Sequence, residues 1–196
     1  MDSIRDAMHA NAKSAAAVVA QAMLAEGMEI HGYYTMEHYN KAGELLAVDV
    51  FPNTVVTVGK NAMLDQSLAG SAYTVTGPYM GLISSVSYSA ISASDTMASH
   101  AGWLEAGGAN APTYSGNRPT AAFSAASAGA KALSSALAFS ITGTGTIKGA
   151  FLTFGTGAVN TKDNTSGTLF SAGLFTGGDR AVSSGDTVNV SYSVSL

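Results

Sequence analysis

The C-terminal stretch alternates without a break. Val188, Val190, Tyr192, Val194 and Leu196 fall on one side, and Asn189, Ser191, Ser193 and Ser195 on the other. A period of two is the signature of a strand with one face on a core. A similar alternation sets Leu133, Leu137, Phe139 and Ile141 against Ser134, Ala136, Ala138 and Ser140. Tyr79–Ile83, Ile147–Phe154 and Leu169–Phe175 are instead apolar on both sides, which predicts strands covered on both faces. Gly143-Thr144-Gly145, Thr176-Gly177-Gly178-Asp179 and Ser184-Gly185-Asp186 punctuate these runs as turns. Nearer the start, Ile30–Tyr39 and Leu45–Phe51 flank the turn Lys41-Ala42-Gly43-Glu44, predicting a hairpin over 30–51. A short helix is predicted within 54–68, with Met63, Leu64 and Leu68 on one side and Gly70 closing it.

Residues 2–26 show a different pattern. They are rich in Ala, contain neither Pro nor Gly before Gly27, and predict one helix with Gly27 as its C-terminal cap. Met1, Ile4, Met8, Asn11, Ala15, Val18, Ala22 and Ala25 recur at alternating three- and four-residue steps, a stripe resembling a coiled-coil seam built of small residues. Such a helix either rests on its own domain or serves as an assembly arm, and its place ahead of the domain favours the arm. The predicted fold is therefore mainly β: an antiparallel β-sandwich, jelly-roll-like, preceded by an N-terminal α-helix and a β-hairpin. The predicted domains are a helical arm over 1–29 and a sandwich over 30–196. The candidate assembly residues are Ile4, Met8, Ala15, Val18 and Ala22 on the stripe, with Tyr33 and Tyr34 in the hairpin.

Composition sharpens this picture in one respect. Only 11% of the 196 residues are charged, against about 25% in ordinary soluble domains. Residues 1–50 carry ten charged side chains, whereas the longer stretch 113–196 carries eight. A surface of small neutral residues suits a protein covered by neighbours better than a freely diffusing monomer. The net charge is −4 and the nine basic residues are scattered, so nucleic acid has no electrostatic footprint to bind. No cysteine is present, which removes disulfides, thiolate zinc sites and thiol catalysis. The apolar run Ala15–Ala20 stops at Gln21, far short of a membrane span, and Asp2 and Asp6 around Arg5 argue against a signal peptide.

Candidate chemistry is sparse. His9, His31, His38 and His100 lack metal-ligand spacing, and His31 and His38 fall on opposite strand faces. Ser99-His100 with Asp95 and Glu105 lacks the elbow and geometry of a hydrolase, and Asp95-Thr96 reads more simply as a turn or cap. Gly143-Thr144-Gly145-Thr146 has no Lys after it and reads as a turn, not a phosphate loop. Asp163, Asp179 and Asp186 sit in Gly-rich turns without the dense carboxylates of a calcium loop. Trp103 is a possible sugar platform, although a lone Trp is more often a core or loop anchor. No catalytic residue, metal or cofactor is expected.

Several segments taken together resemble a group of structural proteins of tailed bacteriophages, particularly short-tailed ones. They are His31-Gly32-Tyr33-Tyr34 with the hairpin after it, Asn53–Leu64, Asp95–Trp103, Tyr114–Pro119, Gly145–Thr153, Gly167–Phe170, Phe175–Arg180 and Ser184–Val190. They spread over residues 31–196, and the spacer Ala106–Pro112 looks like a local insertion. The resemblance implies a non-enzymatic virion protein that decorates or cements the capsid. The expected partners are the major capsid protein or other virion proteins, and further copies of itself. Nucleic acid and membrane are not among them. A tail, head-tail adaptor or fibre position is the alternative, and a host-glycan-binding module using Trp103 is another. Such a protein is made in the bacterial cytoplasm and resides in the virion.

Overall fold

A computed structural model describes residues 30–67 and 76–195 of the chain. The compact unit runs from His31 to Ser195. The predicted helix over 2–26, with Ile4, Met8, Ala15, Val18 and Ala22, lies outside the described residues.

Ten strands and one short helix are described. The strands are β1 (His31–Tyr39), β2 (Leu45–Pro52), β3 (Thr54–Val55), β4 (Tyr79–Ser84), β5 (Ala130–Ala132), β6 (Leu137–Ser140), β7 (Gly145–Phe154), β8 (Thr168–Leu174), β9 (Arg180–Val182) and β10 (Thr187–Ser195); helix α1 is Thr57–Ser67. They form two five-stranded sheets in which every strand pairing is antiparallel. The first, sheet A, runs β2-β1-β10, with β5 and β6 both pairing with the far side of β10. The second, sheet B, runs β3-β8-β7-β4, with β9 beside the start of β7.

The two sheets share one core, as in a β-sandwich. Sheet A contributes Tyr34, Met36, Phe51, Phe139, Val188, Val190 and Tyr192; sheet B contributes Met80, Leu82, Ile147, Ala150, Leu152 and Val182. Alternation in β10 therefore maps directly onto inside and outside. The doubly apolar strand β7 has a second reason for its composition. Phe151, between Ala150 and Leu152, joins Val56, Ile83, Met97, Trp103, Leu169 and Ala172 in another apolar cluster. That cluster covers the outer side of sheet B with the chain's own loops.

Two expectations need correcting. The pair β1–β2 is not an appendage ahead of the sandwich, because β1 bonds β10 along its full length from His31↔Ser195 to Tyr39↔Thr187. Within the predicted helical stretch, Thr54–Val55 pairs with β8 as a strand, and the helix begins only at Thr57. Thr57 is held there by Ala93, whose carbonyl oxygen accepts from its backbone N–H at 2.9 Å. Gly59 lets α1 lie against β8, since a Cβ there would meet the Phe170 carbonyl oxygen. Leu64 points to solvent, so it does not share a buried side with Met63.

Candidate assembly surface

The turn between β1 and β2 has a local cause. The Asn40 side-chain oxygen accepts from the backbone N–H of Ala42 and of Glu44, both at 2.9 Å, and Gly43 takes a φ of +83°. With the turn set, β2 pairs β1 in a register that places Asp49 beside Met36 and Val50 beside Thr35. Met36 faces the core, so Asp49 and Phe51 turn inward while Leu46, Val48 and Val50 turn outward.

The result is an apolar strip on the outside of sheet A. Leu45, Leu46, Val48 and Val50 are 52–55% exposed, and Tyr33 on the neighbouring strand is 48% exposed. On β10, two strands away, the same face carries Asn189, Ser191 and Ser193. The strip therefore belongs to β2, which ends the sheet and, among the described residues, pairs with β1 alone. An exposed apolar edge strand is a template for association, which proteins usually blunt with Lys or Pro. Here Pro52 lies only at the strand's far end.

The inward carboxylate of Asp49 is fully occupied. It accepts from the Thr176 hydroxyl at 2.7 Å and the Gly177 backbone N–H at 2.8 Å, with Arg180 Nη2 at 3.4 Å. Burial alone would raise its pKa, but these three donors together hold it below the ordinary 3.8. Asp186 is similarly placed, accepting from Ser183 N–H at 2.8 Å and lying 2.9 Å from His38 Nε2. Burial opposes ionisation there too, and the Ser183 and His38 contacts overturn it, leaving the pKa below 3.8.

Both carboxyls thus bind protons more weakly folded than unfolded. Their stabilisation is complete above the unfolded pKa and is lost as pH falls through the lower folded values. The melting temperature should be level in pH from about 6 down to about 5 and fall below about pH 4. Asp49→Asn combined with Asp186→Asn should flatten that acid limb. An acid limb equally steep in the double variant would show that other carboxylates set it.

On the outer side of sheet B, loops from three parts of the chain are tied to one another. Arg118 forms a two-pronged pair with Glu105, Nε to Oε1 at 2.8 Å and Nη2 to Oε2 at 2.6 Å, and both side chains are buried. Arg118 also donates to the carbonyl oxygens of Val159 at 3.3 Å and Asn164 at 2.8 Å, while Asp163 N–H donates to Glu105 Oε2 at 2.7 Å. The predicted insertion Ala106–Pro112 is tied in as well, through Ala109 N–H to Asp163 Oδ2 at 2.6 Å and Asn110 Nδ2 to the Glu105 carbonyl oxygen at 3.1 Å. A cavity of about 260 Å³ lies among Met97, Trp103, Glu105, Arg118, Phe151 and neighbouring loop residues. Glu105 and Arg118 in its lining are paired with each other and Asp163 takes the Ala109 N–H, so the arrangement is a fastening between loops.

The candidate residues sort clearly on this framework. Tyr33 is on the outer face, but Tyr34 is wholly buried, stacked on Phe51 with centroids 5.3 Å apart and 2.9 Å from Ser171 Oγ. Tyr34 is therefore a core residue, not the assembly residue expected, because it has no surface to offer a neighbouring subunit. Trp103 is wholly buried too. His100 stacks on its ring at 4.0 Å, Phe151 lies at 5.1 Å, and Nε1 donates to Asp95 Oδ2 at 2.9 Å. With its ring enclosed, Trp103 offers no platform to a sugar. His100 Nδ1 meets the Trp103 carbonyl oxygen at 3.0 Å, whereas Ser99 N–H turns to Thr96 Oγ1. Asp179 pairs with Lys148 at 2.8 Å. Among the described residues, no group of three or more His, Asp or Glu side chains is gathered to hold a metal ion. No helix among them is long and apolar enough to cross a membrane.

The apolar strip and the Glu105–Arg118 pair are the features that sequence reasoning missed. A signal for the pair existed, since Arg118 and Glu105 are isolated charges in a weakly charged region. Comparison of the chain with protein-family models, curated proteins and solved structures finds no match.

Proposed function

We propose that this protein is a structural component of a tailed-bacteriophage particle, most simply a capsid decoration or cement protein, with no catalytic role. The observation that carries the assembly part is the apolar strip of β2 on an otherwise tightly fastened sandwich. A rigid unit whose loops close one sheet while the other keeps an uncovered apolar edge is suited to being covered by a neighbour. The low charge content points the same way. The phage part rests on the resemblance carried by the motifs across residues 31–196.

In this reading the sandwich sits on the shell, and the segment 1–26, with Ile4, Met8, Ala15, Val18 and Ala22, reaches adjacent subunits. Weak contacts repeated by symmetry then sum to a stable lattice. Deleting residues 1–26 should abolish binding to empty capsids, with the circular dichroism and melting of the sandwich retained. Binding that survives the deletion would remove the arm from the proposal. Quantifying the chain in purified particles tests the location. Copies on the order of hundreds fit the shell, whereas about a dozen or fewer would move the protein to the tail or the head-tail junction.

A further inference from the structure

We propose that two copies of this chain pair along β2, antiparallel and about a twofold axis, so that sheet A runs on from one copy into the other. The inference rests on the geometry of β2 alone and not on the virion reading.

The free side of β2 is the end of a sheet. Strand addition there supplies partners for main-chain groups that otherwise face water. The Val50 carbonyl oxygen already accepts from the Thr176 hydroxyl at 3.2 Å, and its second lone pair remains for a neighbouring strand.

The strip is complementary to itself. An antiparallel pairing centred on Val48 sets Val48 against Val48 of the second copy and Leu46 against its Val50. The outward cross-strand pairs within 46–50 are then all aliphatic, and a slip of one residue would set outward side chains against inward ones.

Charge permits the approach. Leu46, Val48 and Val50 are neutral, and Asp49 is turned inward and held by Thr176, Gly177 and Arg180. Glu37, beside Val48 on the outer face, lies one strand back from the edge and accepts from the Tyr39 hydroxyl at 2.8 Å. Two copies therefore meet along this strip without opposing like charges, a condition an isologous contact must satisfy. Pairing edge to edge covers the flanks of Leu46, Val48 and Val50 and the open backbone side of β2, and leaves their outward face and Tyr33 in water. The area covered falls below the about 800 Å² per partner of a stable interface, which fits a weak, reversible pair. The expected product is a reversible dimer with a dissociation constant in the micromolar range.

The test uses the purified full-length chain. Its mass by sedimentation equilibrium should rise with concentration from one copy towards two. Val48→Lys, at a position already half in water, should leave melting unchanged and weaken the dimer at least about tenfold, since it sets two ammonium groups face to face. The chain has no cysteine, so Val48→Cys introduces a single thiol. A short bifunctional maleimide should join two copies of it, but not two copies of Val86→Cys, an exposed position outside β2. Four results would each overturn the proposal: a monomer at every concentration, a mass unmoved by Val48→Lys, equal cross-linking at Val86→Cys, or a mass that climbs past two copies without limit. A chain that stays monomeric alone but is protected at β2 within particles would assign the edge to another protein's strand. None of these results bears on the copy number in the particle, so the virion reading stands or falls separately.

Discussion

Arg118→Met lowers the stability of the folded unit by about 3–5 kcal/mol, the usual cost of removing one partner from a buried ion pair. The reason is the group left behind. Glu105 is only 4% exposed, and without Arg118 its carboxylate keeps a single backbone donor, the Asp163 N–H. It must then stay ionised at a large desolvation cost or take up a proton. The carbonyl oxygens of Val159 and Asn164 lose the guanidinium donors at the same time. For a unit of this length the melting temperature should drop by roughly 10 °C. The double variant Glu105→Leu/Arg118→Met should recover much of the loss, because two apolar side chains of similar size need no partners. Urea denaturation of the two variants separates the cases. A loss under about 1 kcal/mol in the single variant would mean that water reaches the carboxylate, contrary to the burial described.

The strands of the core were legible because their side chains meet one simple demand. β10 alternates since one side meets the core and the other meets water, and β7 is apolar throughout because both sides are covered. Residues 85–128 carried no such period. Their course depends on single contacts between distant side chains and backbone groups, such as Arg118 to Val159 and Ser84 Oγ to the Ala111 carbonyl oxygen. Contacts of that kind have no spacing to read. The short strand β3 is set by its partner β8, and two residues are too few for a pattern.

The surface was harder to read, and for an instructive reason. In β2 the more apolar set is Leu46, Val48 and Val50, while Ala47, Asp49 and Phe51 form the mixed set. Hydrophobicity alone would turn the first set inward. Register reverses that choice: Phe51 stacks against Tyr34 and lies edge-on to Phe175, and Asp49 finds three donors inside. The inward set is chosen by fit: Phe51 makes two ring contacts in the core and Asp49 has its donors there. Turning β2 over would bury Leu46, Val48 and Val50 but strand that carboxylate away from its partners. The conflict between pattern and register is what leaves an apolar strip in water. The same period of two separates Tyr33 from Tyr34, which adjacency in sequence had grouped together.

Trp103→Ala is expected to cost about 3–5 kcal/mol, as large-to-small changes at buried aromatics do. The indole is the lid of sheet B. It lies against Phe151 of β7, carries His100 on its ring, and through Nε1 ties down Asp95, which also accepts from Ser92 N–H at 2.9 Å. Truncation enlarges a space that already measures about 260 Å³, and the carboxylate of Asp95 loses its indole donor in a buried setting. Trp103→Phe keeps most of the volume but not the N–H, so it should fall between, at about 1–3 kcal/mol. Circular dichroism serves for both variants, since the parent's only tryptophan is the residue replaced. Hydrogen exchange adds a spatial prediction. Amides of 89–106 should lose protection in Trp103→Ala, while β1, β2 and β10 keep theirs, because Trp103 belongs to the outer cluster on sheet B and not to the core between the sheets. Equal loss of protection in β1 and β10 would mean that the loops over sheet B do not open as a separate unit. Protection unchanged at 89–106, with a stability loss below about 1 kcal/mol, would mean that the neighbouring side chains close over the gap.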